Sequence, residues 1–243
     1  MDRCILLLKA VLYVLAGKSD ERYLHIKSEL VRLVARAGLY EPKIYAQVPR
    51  LLQSGAVAID IGANCGVYTR RFLECVGPLG TVLAFEPNPF FLDSLQRLQV
   101  QGRSAVVRGE AVSDTAGQSN LRIPRIQWGA PEPALASLES GASVDSRLVR
   151  QVRLDDALHE LTRVDLIKID VEGGEINALQ GSVRLITRFR PILIIETLEK
   201  ARLQSFFRNA ALPYRYHGDA FPVEIGAATS RRDATYVLTW CDE

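Results

Sequence analysis

Apolar residues along this chain fall into two textures. From residue 21 to about residue 52 they recur at helical spacing through Leu24, Ile26, Leu30, Val31, Leu33 and Val34, with Gly38 as a stop and Pro42 and Pro49 as punctuation. After Gly55, short continuous apolar runs alternate with helical stretches, which predicts strand-helix-strand units and a parallel sheet. Residues 56–60, 81–86, 164–170 and 191–196 are apolar runs that each end in an acid, as short strands buried on both faces read. Asn88 and Pro89 supply a helix N-cap and a first-turn proline, and Phe91, Leu92, Leu95 and Leu98 give that helix its apolar stripe. Residues 104–108 predict a weaker third strand. Ile176, Leu179, Val183 and Ile186 predict a single helix, and residues 214–217 and 234–240 predict two last strands paired antiparallel at an edge.

Two stretches resist this scheme. Residues 117–150, rich in Ser, Pro, Gly and Ala and carrying Trp128, are too long for an ordinary connection, and they read as a lid with a hairpin. Residues 4–16 are strongly apolar but interrupted by Lys9, too short to span a bilayer, and without a clear signal-peptide cleavage site. A helix docked on the protein or facing a partner is the preferred reading, with membrane association as the alternative; a homodimer through the N-terminal helices is one such arrangement. The division expected is a helical cap over 1–48 and an α/β domain over 49–243 with an insertion at about 117–150.

Composition narrows the function. The 243 residues exceed a typical domain of ~150 by about half, which suits one large domain with an appendage. Thirty basic against 28 acidic residues leave a net charge of +2, which argues against a nucleic-acid partner. The four cysteines form no C-x-x-C pair and no zinc spacing, so a reducing, cytoplasmic setting is expected.

The chemistry concentrates at four acids, Asp60, Glu86, Asp170 and Glu196. In a parallel sheet the carboxyl ends of the strands share one edge, where ligands bind. After Asp60 come Gly62, Ala63, Asn64 and Gly66. Asn64 replaces the middle glycine of the dinucleotide pattern, which disfavours a pyrophosphate and leaves room for a nucleoside. Glu86 can accept from both hydroxyls of a ribose. Glu110 and Ala111 follow the third strand, a place from which a base edge can be read.

The motifs Asp60-Ile-Gly-Ala-Asn-Cys-Gly-Val-Tyr68, Ala84-Phe-Glu-Pro-Asn-Pro89 and Leu166-Ile-Lys-Ile-Asp-Val-Glu-Gly-Gly-Glu175, then Ala178-Leu-Gln-Gly181, resemble the FkbM-type methyltransferases. The resemblance covers about residues 40–240 and has no counterpart for 1–39. It implies a Rossmann-like α/β fold, a seven-stranded mostly parallel sheet with an antiparallel last strand and helices on both faces. It also implies S-adenosyl-L-methionine as cofactor and methyl transfer to a hydroxyl oxygen of a sugar, natural product or other small-molecule or glycan acceptor. Carried onto this chain, it sets Asp60, Gly62, Asn64 and Gly66 around the methionine and ribose, Glu86 at the ribose, Glu110 and Ala111 at the adenine, Asp170 by the sulfonium, and Ala63, Tyr68 and Asn88 also in the cofactor site.

Transfer to a hydroxyl needs a base, and Asp170, Glu172 and His217 are the catalytic candidates. Lys168 reads as the partner of a neighbouring acid. No metal is assigned, because Glu175 opens a helix where free amides already favour a carboxylate. Arg122, Arg125, Arg147, Arg150 and Arg153 could favour an anionic acceptor, although a plain solvated loop is the preferred reading. An NAD-dependent oxidoreductase and a non-catalytic cofactor-binding protein on the same fold are the competing readings.

Overall fold

The computed structural model describes residues 11–37, 39, 41–125, 131–132, 136–138, 145–217 and 234–241. Residues 4–10 of the apolar run, Gly38 and Trp128 lie outside the described residues.

Residues 11–15 are helical, and α1 (Asp20–Arg36) follows a turn, opened by Ser19, whose hydroxyl accepts from the Arg22 amide. Helix α2 (Pro42–Leu51) begins on a proline, as a first-turn position permits. The expected cap boundary at 48 therefore falls inside a helix. Then come β1 (Val57–Ile61), α3 (Val67–Val76), β2 (Thr81–Phe85), α4 (Pro89–Gln96) and β3 (Val106–Arg108). After these run β4 (Ala111–Val112), β5 (Gly117–Ile123), β6 (Asp145–Val152), α5 (Leu154–Ala157) and β7 (Leu166–Ile169). The chain continues through α6 (Glu175–Gln180), α7 (Val183–Phe189), β8 (Ile192–Thr197), α8 (Lys200–Asn209), β9 (Tyr214–Tyr216) and β10 (Ala234–Trp240).

Seven strands form one sheet in the order β3-β2-β1-β7-β8-β10-β9. Neighbours pair in parallel except β10, which is antiparallel to both β8 and β9. The predicted pairing of the last two strands is present, but β10 lies inside the sheet and β9 is its edge. Alternation explains the continuous apolar runs, because each face is covered. Ile59, Ile61, Ile167, Ile169, Leu193 and Ile195 meet α6, α7 and α8 on one side. Ala58, Leu166 and Ile194 meet Ile44 and Val48 of α2 and Phe72 and Val76 of α3 on the other. Among the described residues no helix is long and apolar enough to cross a membrane.

The helix predicted over 176–186 is two helices. Gly181 sits so close to the backbone that a Cβ there would lie 2.0 Å from the Ser113 carbonyl oxygen. Asp155, from α5, then caps α7 in place of a local residue, its Oδ1 and Oδ2 accepting from the amides of Leu185 (2.9 Å) and Arg184 (3.2 Å). Spacing alone cannot reveal a break imposed by two other segments.

The insertion builds a second sheet, β4-β6-β5, in which β5 and β6 are the arms of the predicted hairpin. Arg125 beyond β5 binds Asp20 of α1 at 2.6 Å and Asp145 of β6 at 2.7 Å. Lys27 of α1 pairs with Glu132. The N-terminal helix is thus pinned to the hairpin.

Candidate active site

The topology reverses between β1 and β7, and a cavity of about 500 Å³ opens at the carboxyl ends of the strands there. Its rim follows the strand order. Glu110 comes after β3, Glu86 after β2, Gly62 and Asn64 after β1, Asp170, Glu172 and Gly174 after β7, and Glu196 lies in β8. Ser119 and Leu121 of β5, Gln151 of β6, and Ala136 and Leu138 cover it from the hairpin. Seven carboxylates and no basic side chain appear among the described residues lining it.

The β1 loop is shaped by backbone. Gly62 has φ +78°, and a Cβ on it would lie 1.8 Å from the Asp170 carbonyl oxygen, so the loops after β1 and β7 touch through this glycine. Asn64 is also left-handed, φ +50°, and its amide donates to Glu86 Oε2 at 2.7 Å. Glu86 Oε1 accepts from the Asn88 amide at 2.8 Å. Burial pushes the Glu86 carboxyl up to about 7 despite these two amides, which pull it down. Arg108 bonds Glu110 at 3.0 and 3.2 Å and, outweighing partial burial, holds that carboxyl below its usual range.

Several expected residues stand elsewhere. Asp60 is fully buried beneath the cavity floor rather than on its wall: Thr69 donates to its Oδ2 at 2.6 Å, and burial raises its carboxyl. Its Oδ1 is buried with no hydrogen-bond partner among the described residues. Strand register sets it beside Lys168, whose Nζ reaches Asp170 Oδ2 at 2.8 Å and lies 4.7 Å from the centre of the Tyr68 ring. Burial works against the Lys168 charge, but Asp170, Asp60, Glu196 and Glu41 outweigh it and hold its pKa above the ordinary value. Tyr68 is off the lining and donates to Glu41. Asn88 is buried as the N-cap of α4, accepting from the Phe90 amide, and Gly66 caps α3; neither they nor Ala63 line the cavity. Ala111 lines it from within β4 rather than from a turn.

Of the three candidate bases, Asp170 and Glu172 line the cavity and His217 does not. His217 follows edge strand β9 and its Nε2 is engaged with Thr239 Oγ1 at 2.6 Å, because β10 separates its strand from β8. Of the arginines near the insertion, Arg125 is held by Asp20 and Asp145 and Arg153 by the Asp114 carbonyl at 2.7 Å, while Arg150 comes within 3.9 Å of Glu110 on the cavity wall. Glu41 was invisible to motif reasoning, since it lies in no strand and no recognised string.

Residues 60–216 match the family described as the Methyltransferase FkbM domain. The chain belongs to this family. Its cofactor is S-adenosylmethionine, and the site suits that group: the glycine cradle at Gly62, the acceptors Glu86 and Glu110, and a wall that has no basic side chain among its described residues match a nucleoside whose tail sets a sulfonium and an ammonium against a single carboxylate. The chain is 30% identical over 162 residues to Methyltransferase sdnD of Sordaria araneosa, a match covering 54% of this chain and 61% of that protein. It is 28% identical over 174 residues to 2-O-methyltransferase NoeI of Sinorhizobium fredii, covering 61% and 66%. The matches thus span about three fifths of the length of these curated relatives. The FkbM methyltransferase of Methylobacillus flagellatus superposes with a TM-score of 0.52 at 17% identity, over 81% of this chain and 48% of that one, which shows the fold.

Proposed function

We propose that this chain is an O-methyltransferase, moving the methyl group of S-adenosylmethionine to a hydroxyl oxygen of a sugar or natural product. The observation that carries the reading is the convergence of Glu86, Glu110, Asp170 and Glu172 on one cavity at the switch point, with no basic side chain among the described residues lining it. The name of the NoeI relative supports oxygen as the methylated atom.

When bound, the cofactor supplies an electrophilic methyl group on a sulfonium. The chain's share is to bind, align and exclude water, which is where most acceleration of such a displacement arises. Glu86 and Glu110 receive the nucleoside. Leu121, Ala136 and Leu138 of the hairpin side keep water out. Lys168 fixes Asp170 through its Oδ2, making Asp170 an orienting acceptor for the incoming hydroxyl, and Glu172 takes the proton. Glu172 is held in the left-handed region, φ +50°, which aims a strained residue at the site.

The test pairs binding with turnover. Calorimetry should show heat with S-adenosylhomocysteine, and label from methyl-tritiated S-adenosylmethionine should enter hydroxylated glycosides or polyketides. Heat with NAD and none with S-adenosylhomocysteine would shift the chain to the oxidoreductase reading, and label found only on nitrogen would overturn oxygen as acceptor.

A further inference from the structure

Glu41 precedes α2, outside residues 60–216, and its backbone is left-handed at φ +36° and ψ +56°. A non-glycine residue held there is destabilising, and such outliers point to function when something compensates them. At the N-cap of α2, the Glu41 carboxylate stands near the first, unpaired amides of its own helix and could turn onto them. It does not, and α2 begins without a side-chain cap. Its Oε2 instead accepts from the Tyr68 hydroxyl in the first turn of α3, and the residue lines the cavity.

We propose that Glu41 receives the α-ammonium of the cofactor, so that the N-terminal segment completes the cofactor site. The inference rests on the S-adenosylmethionine reading of the cavity. With the nucleoside at Glu86 and Glu110, the amino-acid tail must run toward β1, β7 and the start of α3, since neighbouring strands are spaced by only about 4.8 Å. An ammonium there needs a carboxylate. Asp60 is sealed below the floor; Asp170 bonds Lys168 directly at 2.8 Å, whereas Glu41 is the weakest of the four acids acting on that lysine; and Glu172 is given to the acceptor's proton in the proposed transfer. Glu196 belongs to β8, one strand further out. Glu41 is the acid anchored over α3.

Calorimetric titration with three probes tests this: S-adenosylhomocysteine, its analogue lacking only the α-amino group, and 5′-methylthioadenosine, which lacks the amino acid. Glu41→Gln keeps an oxygen for Tyr68 but removes the charge. It should weaken S-adenosylhomocysteine about tenfold, the difference between a charge-assisted and a neutral hydrogen bond, and leave the other two probes within about twofold. Equal weakening of all three, or no weakening, overturns the assignment. On the wild-type protein the deaminated analogue should itself bind about tenfold more weakly, a comparison independent of how the variant folds; equal affinity overturns the proposal. A wild-type protein that binds neither S-adenosylhomocysteine nor methylthioadenosine overturns the cofactor reading beneath it as well.

Discussion

The contact between the loops after β1 and β7 can be tested with one added methyl group. In Gly62→Ala the new Cβ would lie 1.8 Å from the Asp170 carbonyl oxygen and 2.8 Å from its carbon, against backbone that cannot swing aside. The residue would also sit at φ +78°, a penalty of about 1 kcal/mol for alanine. Gly102 separates the two effects, because it has φ +75° and nothing within 4 Å of the position an added methyl would take. Gly102→Ala should therefore cost only the backbone share, about 1 kcal/mol, and Gly62→Ala about 4 kcal/mol once overpacking is added. With a urea slope of about 2 kcal/mol per molar, the midpoints should fall by roughly 0.5 M and roughly 2 M. S-adenosylhomocysteine affinity should drop for Gly62→Ala alone, because the shifted loop carries Asn64 and Asp170. Equal midpoints for the two variants would refute the claim that the two loops touch through a bare glycine.

Two further outcomes follow from the same geometry. Glu86 has a folded pKa of about 7, above its ordinary 4.5, so the folded protein holds this proton more tightly than the unfolded chain. Its contribution is complete below pH 4.5 and is lost as pH rises through 7, a swing of about 3 kcal/mol that Glu86→Gln should remove from a stability-against-pH profile; an unchanged slope in the variant would assign the effect elsewhere. Asp155→Ala leaves the Arg184 and Leu185 amides without their cap, at a cost of about 2 kcal/mol by urea unfolding, and a loss below about 0.5 kcal/mol would show that α7 does not depend on it.

The central strands were legible because each is buried on both faces and so reads as a short, mostly apolar run; burial does not account for the acids, and Asp60 and Glu196 lie within β1 and β8 rather than beyond them. The switch point followed from their order, and with it the rim carrying Glu86, Glu110 and Asp170. What the spacing could not carry was set by other segments. The break between α6 and α7 depends on Ser113 and Asp155, and the place of Asp60 depends on Thr69 and on register with Lys168. His217 was attractive for its titration range, but a side chain's chemistry says nothing about how far across the sheet its strand lies from the switch point. Glu41 offered only a positive φ, which no sequence displays.

The position of β10 governs how the protein can be made. On a ribosome the strands emerge in numerical order, yet β10 is the wedge between β8 and β9. Until residue 240 has cleared the exit tunnel, β9 has no neighbour to hydrogen-bond with, and β8 presents an open, apolar edge. Vectorial synthesis therefore leaves a partly built sheet exposed from the emergence of β8 until β10 is made. Slow decoding or a premature stop between the codons for β9 and β10 should yield a product that other chains, or a chaperone, recognise by that unpaired edge.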